Sequence, residues 1–324
     1  MRRASVVTKW WAKARRTPPI WAADVTRPIT RLSTQLSRRL FLQRSGLASL
    51  AVATGSQHVI AIDHAAPNVE FPARAFGLTP VYETIGGSVI GHLAPDSVHR
   101  VRARGDWLLS AHGLIARTDM QPIADYKVPM VESQIKLQMN TPFWAELIAP
   151  SSLIRGWCSG GAPVLTKLGY GAVVPVIGAL TVDDGSVWYE ISQGRWALAE
   201  HFARLPDFPT PIKQALHMVI DRRAMQISLY AERNLRVQSA FCGGSALLTL
   251  TTSLHVVQPG DRQGTPWLMR LECGANVLGV YWHNRFGCAN APEHAQPDIQ
   301  LPVYVAKAIY AAIDSIGCTV TIET

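Results

Sequence analysis

What most constrains the fold of this chain is how soon its apolar runs stop. From about residue 74 to 123, and again from 152 to 205, short apolar stretches end at Gly, Pro or Asp before a helix of ordinary length is possible. Val98, Arg100 and Arg102 alternate with His99, Val101 and Ala103, and the pattern breaks at Arg104-Gly105-Asp106-Trp107. That is the period of a strand followed by a tight turn. Asp184-Gly185 between two apolar runs is a hairpin signal, because two-residue turns need positive φ at their centre. The chain is therefore expected to be mainly β.

The C-terminal third continues in the same manner, with one exception. Residues 217–241 read as two strands across a Glu232-Arg233-Asn234 hairpin, with Val219, Asp221, Met225, Ile227 and Leu229 on one face. Val305, Ile309 and Ile313 recur at helical spacing, Gly317 stands near the helix end, and Cys318–Glu323 forms a closing strand. Proline-rich stretches at 64–72 and 205–213 mark boundaries.

Charge excludes one class of partner. Residues 1–60 hold 11 of the 31 Lys and Arg but only one of the 23 Asp and Glu, Asp24. The remainder carries 20 basic against 22 acidic side chains, so the basicity belongs to the leader. A nucleic-acid surface on the folded part is not expected. Within residues 1–61, Arg38-Arg39 ahead of Phe41-Leu42 and a weakly apolar Ala/Gly run resemble a twin-arginine export signal, with cleavage after Ala61 or, alternatively, Ala53. The run is too short and polar for a confident membrane span. The expectation is an exported, cell-envelope or extracellular protein, with membrane attachment only through an uncleaved signal.

Five cysteines follow, Cys158, Cys242, Cys273, Cys288 and Cys318, and their spacings match no zinc pattern. Cys158, Cys242 and Cys318 read as small buried hydrophobes on strands. No phosphate loop or serine elbow is present, and no metal or cofactor is implied.

Two resemblances add to this reading. Residues 74–123 and 152–205 each resemble a small SH3-like β-barrel. In the second, Trp157, Tyr170, Trp188, Tyr189 and Trp196 are either core or the lining of a groove for peptide or glycan. Residues 212–323, with Pro266-Trp267-Leu268-Met269, Tyr281-Trp282-His283-Asn284, Phe286-Gly287, then helix and terminal strand, resemble an L,D-transpeptidase catalytic domain. The resemblance implies two SH3-like barrels followed by a β-rich transpeptidase-like domain with one C-terminal helix. It also implies peptidoglycan stem peptides or glycan as partner, another wall enzyme as a further one, and Tyr281, Trp282, His283, Asn284 and Gln296 as binding residues.

The same resemblance implies a cysteine acyl-enzyme, and here the sequence departs from the family. Its Ser/Thr-His-Gly-Cys-x-Asn loop must fall within residues 288–302. Alignment on His294 puts Gln296 at the cysteine, whereas alignment on Gln300-Leu301-Pro302 puts Asp298 there and Gln296 at the histidine. Neither register supplies a thiol, and the glycine becomes Ala295 or Pro297, the latter without an amide hydrogen. The family's His-Gly before this segment is Leu278-Gly279, and its Thr-Pro-x-Gly strand is reduced to residues 249–253. The reading is a peptidoglycan-associated protein without transpeptidase catalysis. Two alternatives stand beside it: an active enzyme using a displaced Cys288 with His294 as base, and a module whose binding lies in the SH3-like pair. Cys288 also reads as an incidental loop cysteine or a disulfide partner of Cys273.

Overall fold

The structure, a computed structural model, describes residues 69–124, 142–205, 215–287, 298–313 and 317–323. Among them strands dominate, and one α-helix is present.

The first sheet contains β1 (Glu70–Ala75), β2 (Thr79–Tyr82), β3 (Val89–Leu93), β4 (Val98–Arg104), β5 (Trp107–Ser110), β6 (Gly113–Ala116) and β7 (Met120–Pro122). They assemble in the order β3-β2-β6-β5-β4-β1-β7 around Ala73, Val101, Leu108, Ile115 and Met120. Alternation decides the faces: Val101 is buried while Arg100 and Arg102 point to solvent. Gly105-Asp106 makes the turn, with Arg104 opposite Trp107 and φ +61° at Gly105.

A second unit uses β8 (Phe143–Leu147), β9 (Ser151–Arg155), β10 (Val164–Gly169), β11 (Val173–Val176), β12 (Gly178–Thr181), β13 (Val187–Ser192), β14 (Arg195–Leu198) and β15 (Phe202–Arg204). They form a five-stranded sheet, β10-β9-β14-β13-β12, and a three-stranded one, β11-β8-β15, over a shared core. β8 lies upstream of residue 152, in what the sequence presents as a connection. The Asp184-Gly185 hairpin joins β12 to β13, with the Asp184 carboxylate accepting the Ser186 amide at 2.8 Å.

The third unit is a nine-stranded sheet of β16 (Leu216–Asp221), β17 (Gln226–Ala231), β18 (Asn234–Ala240), β19 (Cys242–Gly243), β20 (Leu250–Gln258), β21 (Leu268–Leu271), β22 (Asn276–Val280), β23 (Ile299–Pro302) and β24 (Cys318–Glu323). Its order is β18-β17-β16-β24-β20-β21-β22-β23-β19. The stretch expected to hold two strands holds three, because Arg222–Met225 is itself a turn, with the Asp221 carboxylate accepting the Ala224 amide. The extra turn resets the alternation: Leu216, Met218 and Ile220 are buried, rather than Val219 and Asp221. Helix α1 (Val303–Ala312) buries Val305 and Ile309 against the sheet, as their spacing requires. Gly317 lies beyond the helix. A Cβ there would stand 2.5 Å from the Leu254 carbonyl oxygen and the backbone has φ +86°, so both close approach and backbone conformation demand glycine.

The units are tied together by backbone and buried charge. The Val173 amide donates to Gly264 O at 3.2 Å, and Lys307 pairs with Glu146 at 2.5 Å. Arg74 of β1 reaches across all three units. It is 4% exposed, pairs with Asp96 at 3.0 Å, and donates to Pro150 O at 3.2 Å and Tyr281 O at 2.7 Å.

Candidate functional site

The site starts where β22 ends. Val277, Leu278 and Val280 are buried on both faces of a parallel pair with β23, so the strand is a continuous apolar run. At Gly279 the helix packs directly on the backbone, since a Cβ would lie 3.2 Å from Val303 Cα. Residues 281–287 then leave the sheet, and each side chain of the Tyr-Trp-His-Asn motif takes a different role.

Tyr281 is part of the junction. Its ring packs against the cores of both the second and third units, and its carbonyl is the one held by Arg74. Burial, with Asp261 nearby, pushes its phenol up to about 12 although Arg74 pulls the other way. Trp282 is 41% exposed and sits edge-on to Tyr281, the ring centroids 5.1 Å apart. It is the motif's one open surface. The Asn284 amide donates to Arg117 O at 3.0 Å, tying the segment to the first unit.

His283 turns inward, 8% exposed, and meets two residues that sequence patterning does not single out as a site. Its Nε2 lies 2.7 Å from Gln300 Oε1 and 3.6 Å from Cys242 Sγ, and Sγ is 3.6 Å from the same Gln300 oxygen. Cys242 and Gln300 are direct cross-strand partners on β19 and β23. Their burial is nearly complete, 0% and 4%. The tautomer follows from the neighbours. The Arg285 backbone amide donates to His283 Nδ1 at 3.2 Å, so Nδ1 is the acceptor and the proton is on Nε2. Burial holds this imidazole below the usual histidine range, Arg285 adds to that, and Gln300 opposes it. The ring is therefore neutral near pH 7; its N–H donates to Gln300 Oε1, the Cys242 thiol donates to the same oxygen, and the sulfur lies beside the imidazole.

Asp298 has other work. Asp298, which one of the two sequence registers sets at the cysteine position, immediately precedes β23 and α1. Its Oδ1 accepts from the backbone and side-chain nitrogens of Asn276 at 3.0 and 3.1 Å, and its carbonyl accepts from Gly244 at 3.0 Å. A carboxylate committed at the start of β22 does not reach the imidazole at its other end. Cys288, His294 and Gln296 lie outside the described residues. Cys242 and Cys318 are buried on strands as small hydrophobes should be, but Cys158 is partly exposed in a turn and Cys273 is exposed. Of the second-unit aromatics, Tyr189 is core, Trp188 is buried and Trp157 is 53% exposed. Among the described residues no cluster of His, Cys, Asp and Glu could hold a metal ion.

No family model matches the sequence, and no curated protein matches it. Among solved structures, the catalytic domain of an L,D-transpeptidase from E. faecium shares 13% identity over 34% of this chain and 97% of its own, with a TM-score of 0.28. An L,D-transpeptidase from Mycobacterium smegmatis shares 12% over 45% and 82%, TM-score 0.28. One from Mycobacterium tuberculosis H37Rv shares 10% over 63% and 90%, TM-score 0.29. Likenesses at this level establish neither activity nor substrate.

Proposed function

We propose that this is an exported cell-envelope protein that binds peptidoglycan stem peptides, and that it does not cross-link them through the cysteine position of the L,D-transpeptidases it resembles in sequence. One observation carries the reading. The Tyr281–Asn284 motif is presented at the end of β22 beside β23 and α1, while Asp298, which the register anchored on Gln300-Leu301-Pro302 sets at the nucleophile's position, accepts hydrogen bonds from Asn276. A carboxylate so engaged neither forms a thioester nor yields a thiolate. Trp282, open and edge-stacked on a fixed Tyr281, is the contact surface for the ligand.

The test is retention of the mature protein on purified sacculi. Wild type is expected to be retained above a denatured control, and Trp282→Ala to lose most of that retention while staying folded. Loss on Trp157→Ala instead, with Trp282→Ala unaffected, would move the binding to the second unit and refute the proposal for this site.

A further inference from the structure

The seven-stranded sheet of the first unit ends at β3, and a cavity of about 430 Å³ opens beside that edge strand. Sites for small organic ligands usually measure ~300–1,000 Å³. The floor is the core itself, Val81 and Leu93, and the rim carries Ile90, 56% exposed. Three imidazoles complete the lining, those of His92, His99 and His112. Among the described residues, no carboxylate, amine or guanidinium lines it.

Two of the imidazoles are fixed in place. The alternation of β4 turns His99 to the side of Val101, the core-facing side, where an apolar residue would escape any desolvation cost. Its Nε2 lies 2.9 Å from Ser97 Oγ, and that hydroxyl donates to Ala94 O at 2.6 Å. Ser97 has one proton to give, so it accepts from His99, whose proton is on Nε2. Nδ1 is then an acceptor while the ring is neutral. Protonation makes it a donor and leaves the Ser97 bond intact. His112 packs edge-on against His99, the ring centroids 5.4 Å apart at 84°. Its turn is locked: Ser110 Oγ accepts the His112 amide at 3.1 Å and donates to Gly113 O at 3.0 Å. Gly113, at φ +134°, lets the turn pack on β2, since a Cβ there would stand 2.7 Å from Tyr82 O.

We propose that this cavity binds a small carboxylate with a branched apolar body, the body against Val81, Ile90 and Leu93 and the carboxylate beside the edge-stacked His99–His112 pair. The site lies in the first unit, and its failure would leave the proposed binding at Trp282 untouched. Only histidines charge the cavity, so it attracts an anion only in mild acid. Burial, and after it His112, holds His99 below the usual histidine range, so this ring is neutral near pH 7. Its surroundings do not offset the charge it gains. Ala73 faces it from β1, His112 from the β5–β6 turn and His92 from β3, while Asp96, beside Ser97, is engaged by Arg74 and Lys167. A phosphate dianion finds no Arg, Lys or helix N-terminus here. Affinity should rise as pH falls below about 6.5, and decline again once the ligand's own carboxyl protonates near about 4.5.

The experiment titrates 4-methylpentanoate and N-acetylleucine into the folded full chain at pH 5.5 and pH 7.5, followed by the imidazole C–H resonances. Saturable shifts are expected at His99 and His112, with none at His255 of the third unit, which faces Glu272. Binding should be ~tenfold tighter at the lower pH. Tighter binding of N-acetylleucine assigns the C-terminus of a peptide, and tighter binding of 4-methylpentanoate assigns a free acid. 4-Methylpentanamide, the same body without charge, should bind more weakly and equally at both pH values. His99→Gln should weaken acid binding at pH 5.5 by ~tenfold, as a charge-assisted hydrogen bond becomes a neutral one. Ile90→Asp sets a like charge at an exposed rim position and should abolish the shifts at His112 and His99, which keeps the test sound if His99→Gln does not fold. Equal affinity at the two pH values would overturn the proposal, as would amide or inorganic phosphate binding as tightly as the acid. So would unchanged binding in Ile90→Asp, His99 and His255 shifting alike, or no shift at His99.

Discussion

Arg74→Met is the substitution that most directly tests how the units are held together. The guanidinium is almost fully buried and serves three acceptors: Asp96 in the first unit, Pro150 O in the second and Tyr281 O in the third. It also fills the space over Gly169, where a Cβ would come within 2.4 Å of Nη1. Burial pulls its pKa down and Asp96 opposes that, the signature of a charge kept inside by its partners. Removing one member of a buried pair costs ~3–5 kcal/mol. Two features argue for the lower end. Asp96 keeps Lys167 at 2.5 Å, and Arg74 Nε is itself buried without a hydrogen bond. Against that, two carbonyls lose their donor, at ~1–3 kcal/mol for each that water does not reach. Methionine retains the apolar stem, so the expected loss is about 3 kcal/mol. In thermal unfolding followed by tryptophan emission, that lowers the midpoint by ~4–7 °C for a protein of this size. Sacculus retention should weaken as well, because Tyr281 O no longer anchors Trp282. A midpoint within about 1 °C of wild type would refute the clamp.

Two further outcomes follow from the geometry. Gly260→Ala puts a methyl group 2.2 Å from the Val173 carbonyl oxygen, where only backbone could yield. A loss of ~3 kcal/mol or more is expected, from overpacking between the second and third units, read as early aggregation on heating. The tyrosines set an alkaline limit. Burial pushes Tyr281 and Tyr310 up to about 12, above the unfolded value near 10. Their contribution is fully present below pH 10 and is lost as pH rises towards 12. Phenolate absorbance should therefore stay below the full tyrosine count at pH 11 and complete itself together with unfolding. Full ionisation near pH 10 in the folded protein would show the rings to be accessible.

The parts of this protein legible in its sequence are those governed by neighbours along the chain. The Gly105-Asp106 and Asp184-Gly185 turns, the burial of Val101 between two arginines and the apolar stripe of α1 depend on φ preference and on periods of two and 3.6 residues. Even here a local signal misleads once an extra turn intervenes, as Arg222–Met225 shows by exchanging the faces of β16. The Tyr-Trp-His-Asn motif marks the segment that leaves β22, yet not what each residue does there. Only the fold decided that Asn284 and Tyr281 serve the junctions while His283 turns inward and Trp282 outward. The fold alone brought Cys242 to His283 and Gln300, 41 and 58 residues away, and Arg74 to Tyr281, 207 residues away. Such meetings are set by strand order, and β19 pairs with β23 only after β20, β21 and β22 have been placed between β24 and β23. Local propensity carries no record of that order, so residue 242 reads along the chain as a small apolar side chain. In the sheet it is a thiol facing an imidazole.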